Sequence, residues 1–174
     1  RSWDFREILD PDRPRQPKNL AERDWLHLNA VTYDSGLEEI IVSGRDQSAV
    51  VAIDRWSGEL QWILGNHRHW DEEFDPYLLE PLRSAKAGSG GPGGDTREDK
   101  RSTPNFSWPW GQHAPELHPD DSGRILIYDN GNKRAYDNPL SPAENYSRAV
   151  EYRIDRDSME IEQLWEYGRR FGSK

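Results

Sequence analysis

Residues 38–65 read EEIIVSGRDQSAVVAIDRWSGELQWILG, and this stretch decides the fold class. It contains three runs rich in branched and aromatic residues, separated by short segments of Gly, Ser and Asp. Such runs are typical of β-strands, and the segments between them are typical of tight turns. Because the strand signals recur at intervals of about 8 to 12 residues, the stretch predicts an antiparallel sheet.

Four strand signals occur twice along the chain. The run NAVTYD (29–34) precedes the quoted stretch, so residues 24–65 predict one four-stranded unit. A second unit is predicted over residues 108–174 from four further runs, QHAPELH, GRILIYDNG, SRAVEYRID and EQLWEYG. AVVAIDRWSGELQWILG aligns with AVEYRIDRDSMEIEQLWEYG, and EEIIVSGR aligns with GRILIYDNG. Repeated units of four short strands indicate blades of a β-propeller, so the predicted fold is all-β, about two blades of a partial propeller.

Two segments interrupt this rhythm. Residues 1–23 open with WDFREILDP and then become polar and Pro-rich. They are predicted to be the end of a preceding blade followed by a linker. Residues 66–107 are predicted to be an insertion, with a flexible loop where glycines cluster at 88–94. Any helix within residues 74–86 should be short, because Pro76 and Pro81 interrupt it.

The composition excludes several classes of protein. Charged residues make up 32% of the chain and hydrophobic residues 33%. This low hydrophobic content is expected for a propeller that lacks part of its core. The net charge of −9 argues against a nucleic-acid partner. No apolar run is long enough to span a membrane, and the absence of cysteine excludes disulfide and thiolate chemistry. The chain starts at Arg1 without a signal peptide, so we expect it to be a piece of a longer protein.

One histidine comes at the start of the predicted innermost strand in each of the two repeats. His27 and His113 are therefore expected to point into one central channel from the same end. A single histidine there would be explained most simply by a hydrogen bond to neighbouring backbone. Two at matching positions favour a catalytic role, because imidazole exchanges protons near neutral pH.

Arginines and tryptophans near these histidines are candidates for binding a substrate. Arg45 and Arg134 follow the second strand of each repeat, where a guanidinium could hold a tetrahedral oxyanion through two parallel hydrogen bonds; ordinary surface arginines would fit the spacing equally well. Trp25 and Trp110 could line a slot for an aromatic ring or could belong to the core. Asn29, beside His27, completes the predicted substrate-binding set.

Metal chemistry is a weaker alternative. The segment HRHWDEE supplies His67, His69, Asp71 and Glu72, but their spacing matches no strong metal signature, and no metal or cofactor is predicted. The segment DNGNKRAYDN lacks the alternating carboxylates and closing glutamate of a calcium loop. A metal-dependent hydrolase built on His27, His113 and nearby carboxylates remains a third hypothesis.

Several motifs, taken in their order along the chain, resemble those of the bacterial arylsulfate sulfotransferases that use no nucleotide sulfate donor. The motifs are WDFREILDP, DWLHLNAVTYD, IIVSGRDQSAVVAIDRWSGELQWILG, WPWGQH, IYDNG followed by an arginine, and YSRAVEYRID with QLWEYG. The resemblance covers nearly the whole chain except the glycine-rich insertion. It implies a six-bladed propeller, an aryl sulfate donor, a phenol acceptor, a covalent sulfohistidine, no cofactor, and a periplasmic or secreted location.

The resemblance also implies roles for particular residues. His27, His113 and Arg134 match the family's two channel histidines and its site arginine, which are expected to bind sulfuryl oxygens and assist proton transfer. The nucleophilic histidine is expected in a later blade outside this chain, so this chain alone should be inactive. The remaining blades would come from the same polypeptide or from other copies. The alternative is a non-catalytic propeller module that keeps a residual anion pocket.

Overall fold

The computed structural model describes residues 1–14, 24–82, 106–131, 134 and 145–168. Within these ranges the protein is all-β, and strands form at all eight places that the sequence predicts. The predicted glycine-rich loop at 88–94 lies outside the described residues. Among the described residues, no helix combines the length and the apolar character that crossing a bilayer would require.

Two antiparallel sheets account for the predicted strands. Sheet A has the order β1-β2-β3-β4, with bounds Leu28–Asp34, Glu39–Gly44, Ala49–Asp54 and Leu60–Gly65. A two-residue strand, β5 (Glu80–Pro81), follows it in the chain. Sheet B has the order β5-β9-β8-β7-β6, and β6 to β9 have bounds His113–His118, Asp121–Asp129, Arg148–Asp155 and Glu160–Tyr167. Sheet B therefore has five strands instead of the predicted four, because β5 joins β9 in parallel.

Residues 78–82 form a strap between the outer strands of the two sheets. Leu79 donates its backbone N–H to Ile63 of β4 at 3.0 Å. One residue later, Glu80 donates to the carbonyl of Met159, beside β9, at 2.8 Å. A short 3-10 helix, Glu72–Tyr77, precedes the strap and contains Pro76. The described part of the predicted insertion is thus ordered structure that joins the sheets.

The core consists of two apolar clusters on opposite faces of sheet A. The inter-sheet cluster lies between sheets A and B, and its members are Ile41, Val50, Ala52, Trp62, Leu64, Leu79, Ile125, Ile127, Val150, Tyr152, Ile154 and Ile161. The outer cluster covers the other face of sheet A, and its members are Leu9, Trp25, Leu26, Val42, Ala49, Val51, Ile63, Trp70, Phe74 and Leu78. Both faces of sheet A are therefore buried.

Arg13 fixes the N-terminal segment to sheet A. Its guanidinium is buried and donates to the backbone carbonyls of Asn66 and Arg68 at 3.1 and 3.2 Å. It also lies 4.2 Å from the centre of the Trp70 ring, an attractive cation–π geometry. Residues 1–14, predicted to be the end of a preceding blade, contain no strand and cover one face of sheet A.

Equivalent irregularities in the two sheets support the internal repeat. The pairing of β3 with β4 shifts after Ala52, where Gln61 is an extra residue in β4, and the pairing of β8 with β9 shifts at the equivalent point after Glu151, where Leu164 is extra in β9. Gly65 ends β4 and Gly168 directly follows β9, and a Cβ atom at these two positions would lie 2.8 and 2.6 Å, respectively, from a serine carbonyl. Both sheets therefore require a glycine at the same position, which supports their origin as repeats of one unit.

The turn after the third strand is also repeated. Asp54 Oδ1 accepts the backbone N–H of Ser57 at 2.6 Å, and Asp155 Oδ1 accepts that of Ser158 at 3.2 Å. These hydrogen bonds lower the pKa of both carboxyl groups below the ordinary value of 3.8. Each carboxylate therefore stabilises its turn in the charged form.

Acidification is expected to weaken both turns. Because the pKa of each carboxyl is lower in the folded than in the unfolded chain, its stabilising effect is present above about pH 4 and is lost as the pH falls through the folded value. Denaturant unfolding midpoints measured at decreasing pH should report this loss. The double substitution Asp54→Asn and Asp155→Asn should make the midpoint depend less on pH, and an unchanged dependence would contradict the assignment.

Candidate active site

His27 lies in the loop immediately before β1 and is held on two sides by Asp24. Its backbone N–H donates to Asp24 Oδ1 at 2.9 Å, and its ring Nδ1 lies 2.7 Å from Asp24 Oδ2. The residue has a φ of 50°, a left-handed conformation that few non-glycine residues adopt. Its side chain is 38% exposed, so the ring is held at Nδ1 and still reaches solvent.

His113 is the first residue of β6 and is half-buried. Its Nδ1 lies 2.5 Å from the side-chain Oδ1 of Asn130, which directly follows β7. Both candidate histidines are therefore anchored through Nδ1 by a neighbouring polar side chain.

Side-chain hydrogen bonds place β1 and β6 next to each other. Asn29 Nδ2 donates to the carbonyl of Gln112 at 2.8 Å, and Thr32 Oγ1 donates to that of Pro115 at 2.6 Å. Both bonds join residues 83 positions apart, so the two strands run in the same direction. The residues at their starts, His27 and His113, consequently lie at the same end of neighbouring strands.

The two histidines do not occupy equivalent positions in the repeat, contrary to the sequence alignment. The backbone bond from Asp46 N to Leu26 O in sheet A corresponds to that from Gly131 N to Trp110 O in sheet B. His27 therefore corresponds to Gly111. The φ angles agree with this, at 50° and 59° respectively.

His113 corresponds instead to Asn29. Counting two residues on from each left-handed position leads to Asn29 in sheet A and to His113 in sheet B. The amide of Asn29 reaches the backbone beside His113, so the two equivalent residues lie at the junction between the sheets. Sheet A thus contributes a histidine and an asparagine to this end of the strands, and sheet B contributes one histidine.

Arg45 belongs to the same end of sheet A. Its backbone N–H donates to the carbonyl of His27 at 3.2 Å, and its side chain is 25% exposed. One guanidinium nitrogen lies 3.5 Å from Asp46 Oδ1, which keeps a positive charge beside the His27 loop.

Arg134 is buried, with 3% of its surface exposed. Its NH2 group donates to Asp129 Oδ2 at 2.8 Å, and its NH1 group donates to the carbonyl of Trp108 at 3.1 Å. The guanidinium also lies 4.3 Å from the centre of the Tyr146 ring. Arg45 directly follows β2 in sheet A, and the equivalent residue after β7 in sheet B is Asn130. The predicted pairing of Arg45 with Arg134 therefore does not hold.

Both predicted tryptophans are buried. Trp25 is 8% exposed and packs in the outer cluster. Trp110 is 4% exposed, and its backbone N–H donates to Asp129 Oδ1 at 2.9 Å. In the sequence each could line a ring slot or fill the core, and in the structure each is buried two or three residues before a candidate histidine.

One group of side chains has the donor set of a metal site. Ligand atoms of Asp24, His27 and Asp46 lie within 4.8 Å of one another. The charged guanidinium of Arg45 lies beside this group. The residues of HRHWDEE form no such group within the described ranges, and the His67 ring instead contacts Trp108 and the carbonyl of Leu79.

Asp24 and Asn130, which fix the rings, were not singled out from the sequence. Asp24 had a local signal, since a carboxylate three residues before a histidine in a loop can reach both its backbone and its ring. Asn130 had none, because its contact with His113 depends on the pairing of β6 with β7.

Comparison with known proteins identifies the family. The arylsulfotransferase (ASST) family pattern matches residues 1–174. Arylsulfate sulfotransferase AssT of Lelliottia amnigena is 33% identical over 153 residues, which cover 87% of this chain and 24% of the relative. The protein of the same name from Escherichia coli O6:H1 is 33% identical over 150 residues, covering 86% of this chain and 24% of the relative. The chain spans about a quarter of the length of these relatives, and it belongs to the arylsulfotransferase family.

Proposed function

We propose that the polypeptide containing this chain transfers a sulfuryl group from a phenolic sulfate ester to a phenol acceptor outside the cytoplasm. Family membership supports the reaction class. The observation that carries the proposal is the pair His27 and His113, two accessible imidazoles at the same end of neighbouring parallel strands, each anchored through Nδ1.

We propose further that the sheets are consecutive blades of a six-bladed propeller. Trp62 and Leu64 of β4 are buried in the inter-sheet cluster, whereas their equivalents in β9, Trp165 and Tyr167, are 45% and 59% exposed. Tyr128 lies on the same face and is 48% exposed. An aromatic face of this kind on sheet B suits packing by a further blade, just as sheet B covers the equivalent face of sheet A.

The proposed reaction has two half-reactions. In the first, a histidine elsewhere in the polypeptide forms an N–S bond as the S–O bond to the donor breaks, and the leaving phenolate takes up a proton. In the second, the acceptor phenol loses its proton as its oxygen bonds to sulfur and the N–S bond breaks. Both steps require stabilisation of negative oxygens and a group that gives and accepts protons.

The residues of this chain would divide these tasks. We assign contact with the sulfuryl oxygens and proton transfer to His27 and His113, with Asn29 and Arg45 beside them. Arg134 is compensated by Asp129 and buried, so we assign it to holding the loop that carries Asn130. Local positive charge matters because the net charge of −9 repels an anionic donor.

A transfer assay tests the proposal. The full polypeptide that carries this chain should be incubated with a chromogenic aryl sulfate, with and without a second phenol. We expect release of the donor phenol to require the acceptor and to equal formation of the sulfated acceptor, measured by absorbance and mass spectrometry. Release of free sulfate without an acceptor would instead indicate a hydrolase, and no release with binding of the donor would indicate the non-catalytic module.

A further inference from the structure

Asp24 uses both carboxylate oxygens on one histidine. Oδ1 accepts the backbone N–H of His27, while Oδ2 lies 2.7 Å from the ring Nδ1. The two contacts fix the loop conformation and the ring orientation together. A second carboxylate, Asp46, also has an oxygen within 4.8 Å of a ring nitrogen, and the Arg45 guanidinium lies 3.5 Å from it. Asp24, at 2.7 Å, is the carboxylate at hydrogen-bond distance from Nδ1.

The chemistry of a carboxylate determines which ring nitrogen carries the proton. An ionised carboxylate only accepts hydrogen bonds, so a short contact from Oδ2 requires a proton on Nδ1. In the neutral ring, the lone pair is then on Nε2. The amide of Asn130 beside His113 can present either an oxygen or an NH2 group, so it imposes no such choice.

We propose that Asp24 is a positioning residue that holds His27 in the Nδ1-protonated form and presents Nε2 to the reacting groups. The inference rests on the proposed sulfuryl transfer and deepens it. In the neutral state, Nε2 accepts a proton from the phenol, and in the charged state the same nitrogen donates it back. No residue has to move between these two events, because the Nδ1 proton remains on the Asp24 contact throughout.

The substitution Asp24→Asn tests this assignment at nearly constant shape. An asparagine that keeps its oxygen on the backbone N–H of His27 must place its NH2 group opposite Nδ1. Nδ1 then has to accept a hydrogen bond, so the proton moves to Nε2 and the lone pair no longer faces the reacting groups. Partners that orient a metal-bound histidine through its second ring nitrogen typically contribute about 10- to 100-fold to affinity or activity, and we expect the same order for a carboxylate that orients a reacting histidine. We expect kcat to fall by that factor.

Two readouts separate this proposal from the proposed function. Nitrogen NMR of the histidine-labelled polypeptide, at a pH where the ring is neutral, should show His27 protonated on Nδ1 in the parent and on Nε2 in the Asp24→Asn variant. This measurement does not depend on turnover, so it remains informative if the transfer assay fails. A variant that keeps the parental protonation pattern would overturn the proposal, as would an unchanged kcat in an active enzyme.

A matched substitution provides the control. Asp157→Asn changes an exposed aspartate in a turn far along the chain from the His27 loop. It should leave both the NMR pattern of His27 and kcat unchanged. Equal losses of kcat in both variants would show a general effect of lost charge and would overturn the positioning role.

Discussion

Replacing His113 with alanine is expected to lower kcat for sulfuryl transfer by about 100- to 10,000-fold, the usual contribution of a positioned acid–base group. His113 starts β6 at the same end as His27, its Nδ1 is anchored by Asn130, and its ring is only half-buried. The ring therefore has one fixed edge and one edge able to contact a sulfuryl oxygen or a phenol. Steady-state rates with a chromogenic aryl sulfate and a saturating phenol acceptor measure the effect.

A histidine at the other end of the same strand provides the control. His118 ends β6, and its Nδ1 accepts the backbone N–H of Asp120 in a turn at 3.2 Å. His118→Ala should change kcat less than about twofold, while its effect on the stability of the fold should be similar to that of His113→Ala. If His113→Ala retained the parental rate, or if both variants lost the same activity, the site assignment would be wrong.

Replacing Asp129 with alanine is expected to lower the free energy of unfolding by about 3 to 5 kcal/mol, the typical result of breaking a buried ion pair. Its Oδ2 accepts from Arg134 at 2.8 Å and from Arg148 at 2.7 Å, and all three side chains are at least 96% buried. Burial alone would lower the pKa of Arg148, but Tyr152 and Asp129 outweigh it and hold that pKa above its ordinary value. The substitution would leave two buried guanidinium groups without this shared carboxylate.

The backbone contacts of Asp129 add to the expected loss. Its Oδ1 accepts the N–H groups of Trp110 and Gly131, both at 2.9 Å. Asp121→Ala, at the exposed start of the same strand, removes a local hydrogen bond from Gly123 and a solvent-exposed attraction to Arg124, and it should cost about 1 kcal/mol or less. Chemical unfolding of the parent and the two variants measures both effects, and a loss at Asp129 no larger than that at Asp121 would contradict the stabilising role of the Asp129 ion pairs.

The strands were predictable because local chemistry determines them. Runs such as residues 40–42 and 50–53 are branched and apolar, and Asp-Arg-x-Ser turns bound the third strand in both repeats. The structure confirms the all-β class and the antiparallel pairing of neighbouring strands. The strap at 78–82 was missed, since its two-residue strand is too short to carry a periodic signal.

The relation between the two histidines was not predictable from residue identity. The alignment matched histidine to histidine, whereas the backbone hydrogen bonds match His27 to Gly111. A left-handed conformation is readable at a glycine but not at a histidine, where it depends on Asp24 and on the pairing of β1 with β2. Gly111, two residues before His113, was the available signal.

The burial of Arg134 was not predictable from the sequence either. Its distance from the second strand suggested a match to Arg45, but an ion pair with Asp129 and the ring of Tyr146 hold it inside the protein. Such contacts join residues of separate strands and a loop, so they are set by tertiary structure. Counting along the chain cannot distinguish an arginine that reaches solvent from one that supports a loop.

The strap at residues 78–82 has a consequence for how this protein behaves among many copies of itself. Exposed outer strands invite strand exchange and edge-to-edge aggregation, because their free backbone groups can pair with any extended chain. By pairing with β4 on one side and with β9 on the other, the strap occupies part of both edges with segments of the same molecule. Two copies of this chain are thereby less able to pair with each other through this rim.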